Sequence, residues 1–351
     1  MTVPATPEEA LLALLGGDPA GSAGLDTAGW RKLGAMAEEH RLEPWLSNLW
    51  PEPPPDCPPA FPASWRAARR AAALAWLGHL RTQALVQAAL DEAAIAALWL
   101  KGARLAQLYP APELRPMRDL DLLVREGELE RALGALRALG YRSTEPGRAA
   151  DWHHLPPLVH DELTPIELHR RLWTASPRQP GDLWERAVRH DGALYPCTAH
   201  LAAHCAVHGV ISHRLDAGPA MLLDMAMLAD AGLDWSRVRE AARADGWEAA
   251  GALLIALTDR WLRPGLAGRA AFAARVPEDV MAAAPSLLLQ PLDQRRRTLM
   301  LARHGAAAGP RAKRSPLWLA RRLGTLGAAL VDPAARGRAR RLDRLATFLD
   351  G

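Results

Sequence analysis

Arg118-Asp119-Leu120-Asp121-Leu122-Leu123-Val124 is the stretch whose reading decides the fold. On a strand successive side chains alternate between faces, so Asp119 and Asp121 stand together while Leu120 and Leu122 point the other way, into a core. Two carboxylates side by side repel each other, and a hard divalent cation between them removes that cost. Ile166-Glu167-Leu168-His169 repeats the alternation, with Glu167 and His169 on the face opposite Ile166 and Leu168. If the two strands are neighbours, three carboxylates converge.

Such a cradle serves phosphoryl and nucleotidyl transfer, in which two metals about 3.5–4 Å apart stabilise the attacking and leaving oxygens of an in-line displacement. Upstream, Ile95 to Leu100 is a short apolar run that reads as a buried strand ending at Lys101-Gly102, and Ala103 to Tyr109 reads as the helix that follows. Backbone N–H groups and one ammonium would there face a triphosphate. Only three of the 43 basic residues are lysines (Lys32, Lys101 and Lys313), so Lys101 departs from the chain's habit of using arginine. Arg115 and Arg118 would add phosphate contacts, or pair with the carboxylates when no metal is bound.

Working outward, Glu126 to Leu139 has Leu129, Leu133, Leu136 and Leu139 on one helical face and Gly140 as its stop. Tyr141–Thr144, Trp152–His160 and Leu163–His169 read as further strands, the last two joined by a turn near Asp161-Glu162. Before this sheet lie amphipathic helices from Thr6, whose Thr-Pro-Glu-Glu run reads as a capping box. A proline-rich connector at 51–62 and a long helix from about Ala63 to Ala93 follow. After about Leu183 the pattern returns to helix, near 198–209, 217–231, 234–262 and 290–303. The expected fold class is α+β, a small mixed β-sheet palm embedded between two helical regions. The expected divisions are 1–93, 94–175 and 176–351.

The 351 residues are 49% hydrophobic and 23% charged, ordinary for a globular protein, and no stretch has the length and purity of a membrane span. The N-terminus lacks a basic stretch followed by an apolar one, so the cytoplasm is the expected location and no membrane partner is expected. Cys57, Cys197 and Cys205 match neither a disulfide framework nor a metal motif and read as reduced thiols. A net charge of +4 permits anionic partners and leaves nucleic acid possible but not required. From Arg303 to Arg344 the chain is strongly basic, which fits a solvated arginine-rich surface or a polyanion patch. The 13 tryptophans fall at helical spacing and read as core.

Taken in order, Leu100-Lys101-Gly102, Arg115-Pro116-Met117-Arg118-Asp119-Leu120-Asp121, the helix ending in Leu139-Gly140-Tyr141, and Glu167-Leu168-His169-Arg170-Arg171-Leu172 resemble the bacterial family labelled uncharacterised nucleotidyltransferase. That family belongs to the DNA polymerase β-like superfamily. The likeness covers about residues 95–173, with looser extensions at Trp30-Arg31-Lys32-Leu33, at 200–208 and at Leu222–Ala226. It implies that Asp119, Asp121 and Glu167 are the catalytic metal carboxylates, for Mg²⁺ or Mn²⁺. It also implies that Lys101 and Gly102 precede the pocket for a nucleoside triphosphate, expected to be ATP. Members of the superfamily commonly carry Gly-Ser at the pocket, where this chain has Gly102-Ala103.

His200, His204 and His208 recur every four residues along one helical face. Stacked over two turns they span about 12 Å, too far for one tetrahedral zinc. The favoured reading places this helix along the cleft, where His204 or His208, with His169, would line it. The expected activity is metal-dependent transfer of a nucleoside monophosphate to a hydroxyl-type acceptor, which the sequence leaves open among small molecules, peptides, proteins and RNA. Kinase-type phosphoryl transfer and a catalytically silent binding or toxin–antitoxin module are the alternatives.

Overall fold

A computed structural model describes residues 6–145, 154–173, 177–291 and 333–350. Its centre is a seven-stranded mixed sheet built from β1 (Ala97–Trp99), β2 (Leu120–Val124), β3 (Arg142–Ser143), β4 (Leu158–Val159), β5 (Ile166–His169), β6 (Val188–His190) and β7 (Ala193–Tyr195), in the order β3-β4-β5-β2-β1-β7-β6. β2 runs antiparallel to β1 and parallel to β5. A parallel neighbour needs a crossover, and the helix Leu129–Ala138 lies in that connection.

Alternation along the strands divides the apolar side chains between two cores. Trp99, Leu120, Leu122, Val124, Ile166 and Leu168 pack with Val86 and Leu90 of the 33-residue helix Ala60–Glu92 and with Leu133 and Leu136 of the crossover helix. Leu98, Leu100 and Leu123 face the other way and join the larger core of the flanking helices. Asp121 lies two residues from Leu123, so the acidic face of the sheet is the one turned towards those helices.

The chain enters through Pro7–Leu15, capped as its sequence foretells: Glu9 N–H donates to Thr6 Oγ1 at 3.2 Å, and Thr6 N–H donates back to Glu9 Oε2 at 3.1 Å. Trp30, Trp65, Trp99, Trp173 and Trp247 are fully buried. Among the described residues no helix is long and apolar enough to cross a membrane.

The structure corrects the sequence reading in three places. The region after about Leu183 was expected to be helical, with segments from 198 onward and no strand, yet β6 and β7 form a hairpin there and extend the sheet. Its turn is Asp191-Gly192, with φ of +46° and +82°, the pair of left-handed residues that a type I′ two-residue hairpin requires. The helix expected over 234–262 is two, Trp235–Asp245 and Glu248–Trp261, because Gly246 takes φ +83° and ends the first. The helix near 198–209 ends regular α geometry at Ala206 and continues as a π turn over Val207–Ser212. The expected helix near 290–303 and most of the basic stretch before Arg344 lie outside the described residues, as do Trp152 and His153 of the expected strand.

Candidate active site

The parallel register of β2 and β5 sets Asp121 opposite Glu167 and Leu123 opposite His169. Across that pair His169 Nε2 lies 2.9 Å from Asp121 Oδ1 and 3.6 Å from Glu167 Oε2. From the other side, β1 delivers Lys101: Leu100 N–H donates to the Asp121 carbonyl at 2.9 Å, and the Lys101 ammonium donates to Asp121 Oδ1 at 2.6 Å. Asp119 stands just before β2, partly exposed. Asp121, Glu167 and His169 each present a ligand atom within 4.8 Å of the others, a set of hard oxygens and one imidazole that suits a divalent cation.

The turn after β1 is shaped for close approach. Lys101 adopts φ +40°, ψ −115°, a backbone conformation a lysine takes only when its surroundings impose it. A Cβ on Gly102 would lie 2.1 Å from Met117 Sδ and 2.6 Å from Arg115 Nη1, so a larger residue fits only if those side chains shift.

Charge at the site is unevenly compensated. Burial and the neighbouring Asp121 and Glu167 carboxylates push Asp119 up to about 6, against the pull of Lys101 and Arg118. Burial would raise Asp121 as well, but the Lys101 ammonium and the His169 hydrogen bond hold it well below the usual range. Glu167 is also lowered, because the His169 hydrogen bond and Lys101 outweigh burial and Asp121. Lys101 and His169 are raised, their burial overcome by these same carboxylates.

Arg115, expected at phosphate, is committed elsewhere. Its Nε and Nη2 donate to Asp224 Oδ1 and Oδ2 at 2.6 and 2.8 Å, and Tyr109 Oη donates to Oδ1 at 2.8 Å. This pair joins the loop before β2 to the helix Ala220–Asp230, leaving Nη1 beside Gly102. Arg118 is exposed, and its charge, like that of Asp119, acts on Arg41, which the sequence reading did not single out. Arg41 lies nearly eighty residues before the motif, and no local pattern marks it.

The histidine helix divides its duties. His200 is engaged by Cys197 and Asp182. His204 and His208 meet edge to face with centroids 5.7 Å apart, His208 and His213 lie tilted at 4.3 Å, and Trp173 packs edge-on against His204 at 6.2 Å. Burial and the charge of Lys101 keep His208 well below the ordinary imidazole value, so it is neutral at neutral pH. His154, bridged to His169 with ring centroids 5.1 Å apart, is a further neighbour.

The mixed sheet brings Asp121, Glu167 and His169 together beside the Lys101-Gly102 turn, with Asp119 just before β2, an arrangement of the kind that nucleotidyl transfer uses. A family model described as uncharacterised nucleotidyltransferase matches residues 26–263, and the chain belongs to that family. It is a transferase of the nucleotidyl-transferring kind. No curated protein matches the sequence.

Proposed function

We propose that this enzyme binds a nucleoside triphosphate, ATP by preference, with Mg²⁺ or Mn²⁺ and transfers its nucleoside monophosphate to a hydroxyl-type acceptor. The observation that carries this reading is the convergence of Asp121, Glu167 and His169, with Asp119 held at a raised pKa beside them. Asp119, Asp121 and Glu167 would hold the metal, with His169 orienting Asp121 through its Nε2. The metal would supply neutralisation of the phosphate charge and of the leaving pyrophosphate.

The protein's own groups do the rest. Lys101 presents an ammonium beside the carboxylates and would turn to the triphosphate when the cradle is filled, while Gly102 lets the backbone approach it. Glu167, partly exposed, would accept the acceptor's proton. Neutral His208 offers a hydrogen bond without adding positive charge, and with His204 and Trp173 it would wall the acceptor side.

The test uses ATP labelled at the α or the γ phosphorus. Label at α should reach the acceptor fraction or, lacking an acceptor, appear in slow hydrolysis to the monophosphate and pyrophosphate. Transfer of the γ label alone would establish kinase chemistry instead. An Asp119→Ala, Asp121→Ala variant that supports the biological role as well as the parent would point to the silent module.

A further inference from the structure

Cys197 lies directly after the β6–β7 hairpin, at the N-cap of the helix Thr198–Ala206. Its Sγ is 3.4 Å from His200 Nδ1, and the other nitrogen of that ring, Nε2, is 3.0 Å from Asp182 Oδ1. A nucleophile, a base and a carboxylate that orients the base are thus in line. His200 is buried at 4% exposure, Asp182 is half exposed, and Cys197 is half-buried. Here both ring nitrogens are engaged, which fixes the ring's orientation beside the sulfur.

The surroundings favour an ionised sulfur. Burial works against it, but the hydrogen bonds from His200, that residue's charge and Arg186 prevail and lower Cys197 below an ordinary thiol. His200 is raised despite its burial, by Cys197 and Asp182. The other charged groups facing this cluster are Arg186, 3.3 Å from Asp182, and Asp245 with Arg178, at the end of the helix Trp235–Asp245. The remaining two cysteines contrast with it: burial pushes Cys57 up to about 11, and Cys205 is buried and raised further.

We infer that Cys197, His200 and Asp182 form a thiol-exchange site that takes a low-molecular-weight disulfide. The Cys197 thiolate attacks one sulfur of that disulfide, a new S–S bond forms as the old one breaks, and the departing thiolate takes the proton held on His200. Product is a mixed disulfide on Cys197 and one free small thiol, with no outside oxidant or reductant.

Full-length protein incubated with oxidised glutathione, quenched with acid and digested for mass spectrometry tests this between pH 6 and 9. Cys197 should form the adduct at least about tenfold faster than Cys57 at pH 7, with its rate already near plateau where Cys57 is still rising. His200→Gln should slow Cys197 by about tenfold at pH 7 and move its profile to higher pH, and Asp182→Asn should fall between. Equal rates at Cys197 and Cys57 in the parent would overturn the inference, as would a His200→Gln protein whose Cys197 profile is unchanged. The parent comparison decides the matter even if a variant does not fold.

Discussion

The Lys101 ammonium lies 2.6 Å from Asp121 Oδ1, so a side chain twenty residues upstream stands on the cation side of the carboxylate cradle. The pair is largely buried, with 17% and 8% of the two side chains exposed. Removing one partner leaves the other charge buried and uncompensated. Lys101→Ala should therefore lower the melting temperature in EDTA, and saturating Mn²⁺ should recover part of the loss by replacing the missing charge. It should also raise KM for the triphosphate by about tenfold or more, since a charge-assisted phosphate contact is gone. Thermal scans with and without metal, together with steady-state kinetics, check both.

Asp119 should reveal itself through pH. In the metal-free fold it keeps its proton up to about 6, whereas in the unfolded chain it loses it near about 3.9. Between those values the folded state binds more protons, so this group's contribution to stability falls as pH rises and is fully lost above its folded pKa. Asp119→Asn carries no such penalty. In EDTA it should be more stable than the parent at pH 8, with the gap closing as pH drops towards 4, while activity is abolished. Urea denaturation across that range, run without metal, measures the difference. A gap that widens at low pH would contradict the assignment.

How much of this was legible depends on the distance over which each fact is decided. The shared face expected for Asp119 and Asp121, and the polar face expected for Glu167, follow from two-residue alternation, whereas the pairing that sets Glu167 beside Asp121 joins strands far apart in the chain and is not given by it. The Lys101–Asp121 contact needs the register of β1 on β2, and the grip of Arg115 on Asp224 spans 109 positions, so no local pattern encodes either. The β6–β7 hairpin is a different kind of miss. Its strands are three residues each, with Val188 and Arg189 exposed, so no apolar run announces them, and only Asp191-Gly192 carries the signal. Gly246 ended a helix in a segment whose apolar periodicity resumes two residues later, which hides the break.

Gly102→Ala tests the turn. The added methyl would meet Met117 Sδ and Arg115 Nη1, and Met117 can swing aside more readily than a guanidinium anchored at two points. The expected stability cost is about 1–3 kcal/mol for overpacking. The cost to kcat/KM should be larger, because moving the turn moves Lys101, and positioning errors of about 1 Å are worth about a hundredfold in rate. A variant with lowered stability and unchanged kinetics would show that this turn does not contact the triphosphate.

The Arg115–Asp224 pair, with Tyr109 on the same oxygen, joins the catalytic loop to the helices behind it. Both side chains are largely buried, so Asp224→Ala should cost about 3–5 kcal/mol by stranding a guanidinium that stays charged at every accessible pH. Arg115→Met alone should be comparably harmful, since it leaves Asp224 with only the Tyr109 hydroxyl. Combining Arg115→Met with Asp224→Leu removes both charges at once, and stability should return towards that of the parent. The double variant should nevertheless remain slow, because an apolar contact no longer fixes the loop that carries Met117 and Asp119. Chemical denaturation of the three variants gives the coupling energy. Their kcat/KM values then separate what the ion pair does for folding from what it does for holding the aspartates in place.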